Sequence, residues 1–225
     1  AASFHESTTV EIVWTAIPFL ILVGMAVPST ATLLRMEDTR NAEMVVNVTG
    51  YQWKWKYEYP EQDITFFSNL STPADQIANK AAKGKDYLLE VDNHLVLPVG
   101  KRIRFVFTAN DVIHAWWVPA LGWKQDAIPG IINEAWTEIK TPGVYRGQCT
   151  ELCGKDHGFM PIVVKAVPKA EFETWLAAER AKNAPPAPAA PIEAVPAETA
   201  PAAEAAAPAT AAADQNAPAA ANAAG

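Results

Sequence analysis

The feature that most constrains this chain is an apolar run of 23 residues without a formal charge, over residues 12–34. As a helix, such a run is about 34 Å long, which is enough to cross a hydrocarbon core of about 30 Å. A buried core helix or a signal peptide could produce a similar run. A signal peptide, however, has a basic leading region and a shorter apolar stretch, and neither Lys nor Arg precedes Glu11. We therefore predict a transmembrane helix over residues 12–34.

Downstream of this run the hydrophobic pattern changes to a period of two. Aromatic and polar residues alternate over residues 51–59, and a similar alternation covers residues 102–107. Two more short segments rich in aliphatic residues, at 88–91 and 96–99, lie on either side of the turn-like pair Asp92 and Asn93. Short strands separated by Gly and Pro turns predict an antiparallel sandwich or barrel, in which residues 51–59 form one half-buried strand.

The composition divides the chain into six segments. They are a membrane-flanking segment (1–11), the transmembrane helix (12–34), a linker (35–42), a mainly β domain (43–168), a helix (169–183) and an Ala/Pro-rich tail (184–225). The helix has an apolar face, for which we expect Phe172, Trp175, Leu176 and Ala178. The tail holds 22 Ala and 8 Pro among its 42 residues. It cannot bury enough apolar surface to offset the entropy of ordering, so we predict that it is disordered.

Charge and cysteine content exclude several classes of protein. The formal net charge of −7 argues against a nucleic-acid-binding protein, which needs a basic face, and it allows a cationic partner. Two cysteines are too few for a disulfide-stabilised scaffold.

Four potential metal ligands lie close together near the end of the β domain. Cys149, Cys153, His157 and Met160 follow the pattern C-x3-C-x3-H-x2-M, and His114 lies 35 residues upstream of the first cysteine. A disulfide between the cysteines would leave the histidine and the methionine unexplained. Zinc takes two Cys and two His but has little use for a thioether. Copper binds thiolate, imidazole and a weak thioether together, so the pattern favours a copper site.

The second cysteine raises the question of one copper or two. A mononuclear blue copper site needs one Cys, two His and a weak Met. Two thiolates can instead bridge two coppers, with one imidazole on each metal and Met160 and a backbone carbonyl as the remaining ligands. Such a centre has no vacant position for a substrate, so it would relay electrons and would not itself bind oxygen.

Several segments resemble subunit II of cytochrome c oxidase. They are residues 51–59, 89–93, 111–119, 124–130, 147–154 and 157–163. The resemblance implies a cupredoxin-like Greek-key barrel or sandwich, outside the membrane, with a dinuclear copper centre. The implied copper ligands are His114, Cys149, Cys153, His157, Met160 and the backbone carbonyl of Glu151.

The resemblance also implies roles for residues outside the copper site. The Glu151 side chain would reach a magnesium ion shared with subunit I, and Asp126 would lie near that ion. Trp53 would be the point at which electrons enter. Acidic docking residues for cytochrome c would be Glu58, Asp92 and Asp111, and Glu11 would lie at the mouth of a proton path into subunit I.

The implied function is that of the electron-accepting subunit of a haem-copper oxidase. Electrons from cytochrome c would pass through this subunit to haem in subunit I, where oxygen reduction is coupled to proton pumping. The chain would lie in the inner membrane with its copper domain on the periplasmic side, in a bacterium rather than a mitochondrion. Arg35 and Arg40 by themselves favour a cytoplasmic domain. The family, however, has a first helix that this sequence does not contain, and that helix would set the topology.

Three other functions remain as alternatives. A copper-delivery or storage module would need an open coordination position. The related quinol oxidase subunit lacks the copper ligands. Nitrous oxide reductase has a similar copper domain but adds a second, catalytic domain and lacks the membrane helix.

Overall fold

The computed structural model describes residue 3 and residues 5–183, so the predicted disordered tail at 184–225 lies outside the described residues. In chain order the elements are α1 (Thr8–Glu37), β1 (Met44–Tyr51), β2 (Lys54–Tyr59), β3 (Ile64–Ser68), α2 (Ala74–Ile77), β4 (Leu95–Pro98), β5 (Arg102–Ala109), β6 (His114–Trp117), β7 (Lys124–Ala127), β8 (Asn133–Glu138), β9 (Gly143–Cys149), β10 (Pro161–Val167) and α3 (Lys169–Asn183). The predicted fold class, a mainly β domain between an apolar helix and a short helix, is confirmed.

Helix α1 extends beyond the uncharged run at both ends. Its 30 residues correspond to about 45 Å, and no side chain along it is buried in the rest of the molecule. Pro18 and Pro28 lie inside the helix. Thr30 and Thr32 donate side-chain hydrogen bonds to carbonyls four residues earlier, at 2.8 and 2.9 Å, so neither hydroxyl is left unpaired in an apolar setting. The helix is long and apolar enough to cross a membrane.

The β domain is a sandwich of two five-stranded sheets. One sheet has the order β3-β2-β1-β5-β8 and the other has the order β4-β10-β9-β6-β7. Burial alternates strictly along β1 and β5, as expected for strands with one face on a shared core. The core is rich in aromatic rings, and Phe105 and Phe107 lie 5.5 and 5.9 Å from the ring of Trp116 across the sandwich.

The expectation of an antiparallel sandwich is wrong for two of the strand pairs. β1 and β5 pair in parallel, as do β4 and β10. The reason is the path of the chain, which crosses repeatedly between the two sheets. A strand that returns after such a crossing can lie beside an earlier strand in the same direction, as in Greek-key arrangements.

The alternating run at 51–59 is not one strand, as the sequence suggested. β1 ends at Tyr51 and β2 begins at Lys54, and these two residues are opposite each other in the antiparallel register. Gln52 and Trp53 form the turn between them. Tyr51 faces away from the core while Trp55 is fully buried, so the two aromatic residues that seemed to share a face lie on opposite faces. The correction places Trp53 at the tip of a hairpin.

Two smaller expectations also change. Residues 88–91 do not form a strand: Leu88 has a φ of +60°, and only Val91 makes an isolated bridge, to Leu70. Along α3, Phe172 is buried and Trp175 packs 5.3 Å from the ring of Tyr59, whereas Ala178 is exposed.

Candidate metal centre

The candidate metal ligands come from neighbouring strand ends and from one loop. His114 is the first residue of β6 and Cys149 is the last residue of β9. The two strands are antiparallel neighbours, with Trp116 opposite Cys149. The loop from β9 to β10 carries Cys153 and a 3₁₀ turn that begins at His157. Two sequence-distant segments therefore meet at one edge of the second sheet.

The six predicted ligands converge on one spot, most of them buried. The two thiol Sγ atoms are 3.9 Å apart. Cys149 Sγ is 4.0 Å from Nδ1 of His114 and 3.3 Å from the carbonyl oxygen of Glu151. Cys153 Sγ is 3.5 Å from Nδ1 of His157 and 3.5 Å from Sδ of Met160. Each thiol thus faces its own imidazole, and each has one further donor atom beside it.

Burial makes this donor set suitable for a soft metal. His114 is fully buried, and Cys149, Cys153 and Met160 are each at most 4% exposed. Thiolate, imidazole and thioether donors suit copper, and the thioether distinguishes the set from an ordinary zinc site. Both cysteines are free thiols, far from the S–S distance of about 2.05 Å that a disulfide requires.

The two thiols differ in their electrostatic surroundings. Burial and then the neighbouring Cys149 raise the pKa of the Cys153 thiol. Burial by itself would raise the pKa of the Cys149 thiol, but hydrogen bonds with His114 and with backbone groups outweigh burial and lower this pKa. Two adjacent thiolates repel each other in a buried site unless a cation compensates their charge. A bound cation next to the two sulfurs would offset this repulsion.

Asp111 holds the first imidazole in place. Its Oδ1 lies 2.9 Å from Nε2 of His114, on the opposite side of the ring from the thiol. Its Oδ2 accepts a hydrogen bond from the backbone N–H of Gln52 at 2.8 Å, and the N–H of Val112 donates to Oδ1 at 2.7 Å. A carboxylate behind a ligating histidine fixes the ring orientation. Burial by itself would lower the pKa of His114, but the hydrogen bonds with Cys149 and Asp111 outweigh burial and raise this pKa.

Sequence reasoning assigned Asp111 only to docking and missed this contact. The spacing of three residues between Asp111 and His114 was the available signal. Glu58 and Asp92, the other docking candidates, also have internal partners. Glu58 pairs with Lys56 at 2.8 Å, and Asp92 accepts hydrogen bonds from the backbone and side chain of Asn69. Their role in docking remains a prediction.

The β1–β2 hairpin packs against the candidate ligands, and the sequence did not indicate this contact. A Cβ on Gly50 would lie 2.6 Å from Cδ2 of His114, so only glycine lets the imidazole pack this closely. The side-chain amide of Gln52 donates to the carbonyl of Cys153 at 2.8 Å. The indole of Trp55 donates to the carbonyl of Met160 at 3.3 Å. The hairpin thus packs against the ring of His114 and hydrogen-bonds the backbone of Cys153 and Met160.

Trp53 lies against the loop between β9 and β10, close to Gly154. It is half-buried, and a Cβ on Gly154 would come within 3.1 Å of its ring atom Cζ2. Gly154 directly follows Cys153 and has a φ of +120°, a conformation that favours glycine. The indole therefore packs beside the residue that follows Cys153, and Trp53 as a whole remains partly exposed.

The remaining predicted residues lie apart from this cluster or at its edge. The side chain of Glu151 is exposed, and Asp126 lies on β7 opposite Ala115. Glu11 is in the first turn of α1, at the far end from the β domain. Within the described residues, the one group of three or more His, Cys, Asp or Glu side chains that could hold a metal is His114, Cys149 and Cys153. A magnesium site would need ligands from elsewhere.

Comparisons with known proteins agree with this geometry. Residues 44–167 match the family described as cytochrome c oxidase subunit II, periplasmic domain, and residues 1–32 match its transmembrane domain. The chain is 46% identical over 177 residues to a probable cytochrome c oxidase subunit 2 of Rickettsia prowazekii, covering 78% of this chain and 55% of that protein. It is 42% identical over 171 residues to cytochrome c oxidase subunit 2 of Oncopeltus fasciatus, covering 76% and 73%. The chain thus spans about half the length of the first of these relatives.

Solved structures show the same fold. The periplasmic domain of subunit II of cytochrome oxidase from Bradyrhizobium japonicum is 42% identical, with a TM-score of 0.57, covering 64% of this chain and 98% of that one. A second structure holds subunit II of cytochrome c oxidase in a mixed disulfide with a thioredoxin-like protein. It is 41% identical, with a TM-score of 0.52, and covers 64% and 97%.

Proposed function

Because the chain belongs to the cytochrome c oxidase subunit II family, we propose that it is the electron-accepting subunit of a haem-copper oxidase. It receives electrons from cytochrome c at a dinuclear copper centre and passes them to haem in subunit I. Oxygen reduction, coupled to proton pumping, takes place there. The observation that carries the proposal is the buried pair of thiols, each facing a different imidazole.

The residues of this chain would hold two copper ions, which supply a one-electron redox couple when bound. Cys149, Cys153, His114 and His157 would hold them. Met160 and the carbonyl of Glu151 would complete the set. These groups exclude water because all except His157 and Glu151 are buried. The hydrogen bond with Asp111 would keep Nδ1 of His114 aimed at the metal.

We place the entrance for electrons at Trp53. The support is its position, since it lies between the surface and the residue that follows Cys153. Docking of cytochrome c through Glu58, Asp92 and Asp111 is part of the same proposal. The acidic net charge of the chain suits a cationic partner, because charged faces steer association.

Helix α1 spans the membrane and the β domain lies outside it. We further propose that this is a bacterial inner membrane and that the domain is periplasmic. Subunit I and other oxidase subunits would cover α1 together with lipid. Glu11, in the first turn of the helix, would then lie at the opposite side of the membrane from the copper centre, where a proton path could begin.

A magnesium ion shared with subunit I is a further part of the proposal. Magnesium prefers oxygen ligands. The exposed carboxylate of Glu151 is free to turn outward while its carbonyl faces the sulfur of Cys149. Asp126 would lie in the surroundings of that ion.

Copper content tests the proposed function. The β domain with α3, residues 43–183, should bind two coppers per chain at saturation, and they should resist removal by a weak chelator. One copper, or one zinc in preference to copper, would contradict the dinuclear proposal. Rapid transfer of copper to a chelator, without electron exchange with cytochrome c, would favour the alternative of a copper-delivery module.

The thiols suggest a second partner. The subunit II whose structure was solved as a mixed disulfide with a thioredoxin-like protein is 41% identical to this chain. We propose that a similar dithiol protein reduces Cys149 and Cys153 whenever they oxidise before copper arrives. One disulfide would be reduced and the dithiol of the partner would be oxidised. A domain oxidised in the absence of copper should regain copper binding only after treatment with such a reductant.

A further inference from the structure

Trp55 is buried in the core directly beyond the tip of the β1–β2 hairpin. It is the second residue of β2, and in the antiparallel register it lies opposite Gly50 of β1. Gly50 is the residue against which the ring of His114 packs. The exposed fraction of Trp55 is 0%, so the side chain cannot contact a donor protein. Any role of Trp55 in function must therefore act through its neighbours in the core.

The indole of Trp55 packs against the first candidate imidazole. Its ring centroid lies 5.8 Å from that of His114, with an angle of 63° between the two planes, so the rings meet edge-on. Asp111 Oδ1 lies 2.9 Å from Nε2 of the same imidazole. Gly50 approaches so closely that a Cβ there would lie 2.6 Å from Cδ2 of His114. The indole is therefore one of three groups that restrict rotation of this ring.

The indole N–H of Trp55 contacts a second candidate ligand. It donates to the backbone carbonyl of Met160 at 3.3 Å. Met160 directly precedes β10, and its Sδ lies 3.5 Å from Sγ of Cys153. Leaving a buried donor without an acceptor is costly, so this hydrogen bond favours one position of the Met160 backbone. The thioether extends from that backbone.

We propose that Trp55 is a positioning residue of the copper centre. Through these two contacts it holds the ring of His114 and the backbone of Met160 in the orientation in which their donor atoms face the thiols. The inference deepens the proposed function and rests on it, because it takes copper as the metal that the ligands hold. It gives Trp55 a role distinct from that of Trp53, which we place at the entrance for electrons.

Weaker positioning of these two ligands should change the redox properties of the site. Imidazole and thioether are neutral donors, and they stabilise the more highly charged, oxidised metal more than the reduced metal. Loosening them should therefore raise the reduction potential, which depends on the weak axial ligand. The contacts of the indole fall on two of the six candidate ligands, so their loss should act unevenly on the set. Sharing of the unpaired electron between the two coppers should then become unequal.

Trp55→Phe tests the proposal in the full chain, purified in detergent and loaded with copper. Phenylalanine keeps an aromatic ring in the core but has no N–H to donate to Met160. In competition with a chelator, we expect copper binding about three- to ten-fold weaker than in the wild type, as for the loss of one hydrogen bond. The fully loaded variant should have a higher reduction potential and unequal hyperfine splitting from the two coppers in electron spin resonance.

Tyr59→Phe is the matched control. Tyr59 lies on the same face of β2, is also fully buried, and donates from its hydroxyl to the carbonyl of Val96 at 2.8 Å. The substitution therefore removes a buried donor to a backbone carbonyl at the other end of the strand from the hairpin tip. It should lower the thermal midpoint of the metal-free chain, and it should leave copper affinity, potential and spectrum as in the wild type.

A second variant keeps the test decisive if Trp55→Phe does not fold. Ser68 lies opposite Trp55 in the register of β2 and β3. It is buried, and its hydroxyl has no hydrogen-bond partner among the residues that the structure describes. Because opposite residues of an antiparallel pair share a face, Ser68→Val adds bulk beside the indole. It should displace the indole and raise the reduction potential, with Trp55 and every candidate ligand still present.

Three results would overturn the proposal. They are wild-type affinity, potential and spectrum in Trp55→Phe, changes of equal size in Tyr59→Phe, and, where Trp55→Phe does not fold, an unchanged potential in Ser68→Val. Failure of the proposed function would look different, since the wild type itself would then bind a single metal. The chelator competition would still decide the role of Trp55 in that case, because it compares affinities whatever the number of metals.

Discussion

Replacing Gly50 with alanine should dislodge His114 without touching any predicted ligand. The added Cβ would lie 2.6 Å from Cδ2 and 2.9 Å from Cγ of the imidazole. To reach an ordinary contact distance of 3.4 Å, the ring must retreat by about 0.8 Å. His114 is fully buried, and Trp55 packs edge-on against it with ring centroids 5.8 Å apart, so the ring has little room to move.

The size of the effect follows from two opposing contributions. Overpacking a core costs about 1–3 kcal/mol. Alanine in place of glycine within a strand recovers about 0.5–1 kcal/mol of backbone entropy. The domain should therefore be destabilised by about 1–2 kcal/mol. The effect on metal binding should be larger, because a shift of about 0.8 Å exceeds the tolerance of about 0.2 Å for a metal–ligand distance.

The assay is copper content together with the thermal midpoint of unfolding, with and without copper. Gly158→Ala is the matched control, because Gly158 lies in the loop between β9 and β10, next to His157, and a Cβ there would meet nothing within 4 Å. We expect normal copper loading for Gly158→Ala and a clear loss for Gly50→Ala. If Gly50→Ala kept two coppers and the melting behaviour of the control, the close packing against His114 would not matter for the site.

The other predictions concern the ligands, the donor and the surface. Trp53→Gln should leave copper content and donor affinity nearly unchanged. In stopped-flow measurements it should lower the rate of copper reduction by cytochrome c by orders of magnitude. An unimpaired rate would show that Trp53 is not on the electron path. Met160→Leu should keep both coppers and shift the reduction potential, while Cys149→Ser should lose metal, since a thioether is the weaker ligand; equal metal loss from the two variants would show that this ranking is wrong. Glu58→Gln should raise the apparent Michaelis constant for cytochrome c at low salt, and the two constants should converge as salt screens the interaction. Asp111→Asn should have the same effect and should also change the copper spectrum, because Asp111 contacts His114. An unchanged spectrum in Asp111→Asn would restrict that residue to docking.

The ligand set could be predicted from the sequence because its spacing is local. Cys149, Cys153, His157 and Met160 lie within twelve residues, and their combined softness points to copper whatever the exact fold. His114 lies 35 residues upstream of this run, so the sequence offered it as a candidate ligand without showing that it reaches the cysteines. The structure brings its Nδ1 to 4.0 Å from Cys149.

The errors arose where pairing between distant segments decides the structure. The turn at Gln52 and Trp53 was missed because aromatic residues continue at every second position through it, although the two sides of the turn present opposite faces. The parallel pairing of β1 with β5 was missed because local pattern does not report register across crossovers. The need for Gly50 beneath the ring of His114 also depends on contact between distant segments. The contact of Asp111 with His114 is local, and it was missed although the spacing of three residues was visible in the sequence.

The central claim is that the thiols of Cys149 and Cys153 and the imidazoles of His114 and His157 hold a pair of coppers that share one electron. Electron spin resonance of the oxidised, fully loaded domain, residues 43–183, tests it most directly. We predict hyperfine splitting from a single unpaired electron spread equally over two copper nuclei, with two coppers per chain. A spectrum from one copper nucleus, at full metal loading, would contradict the account.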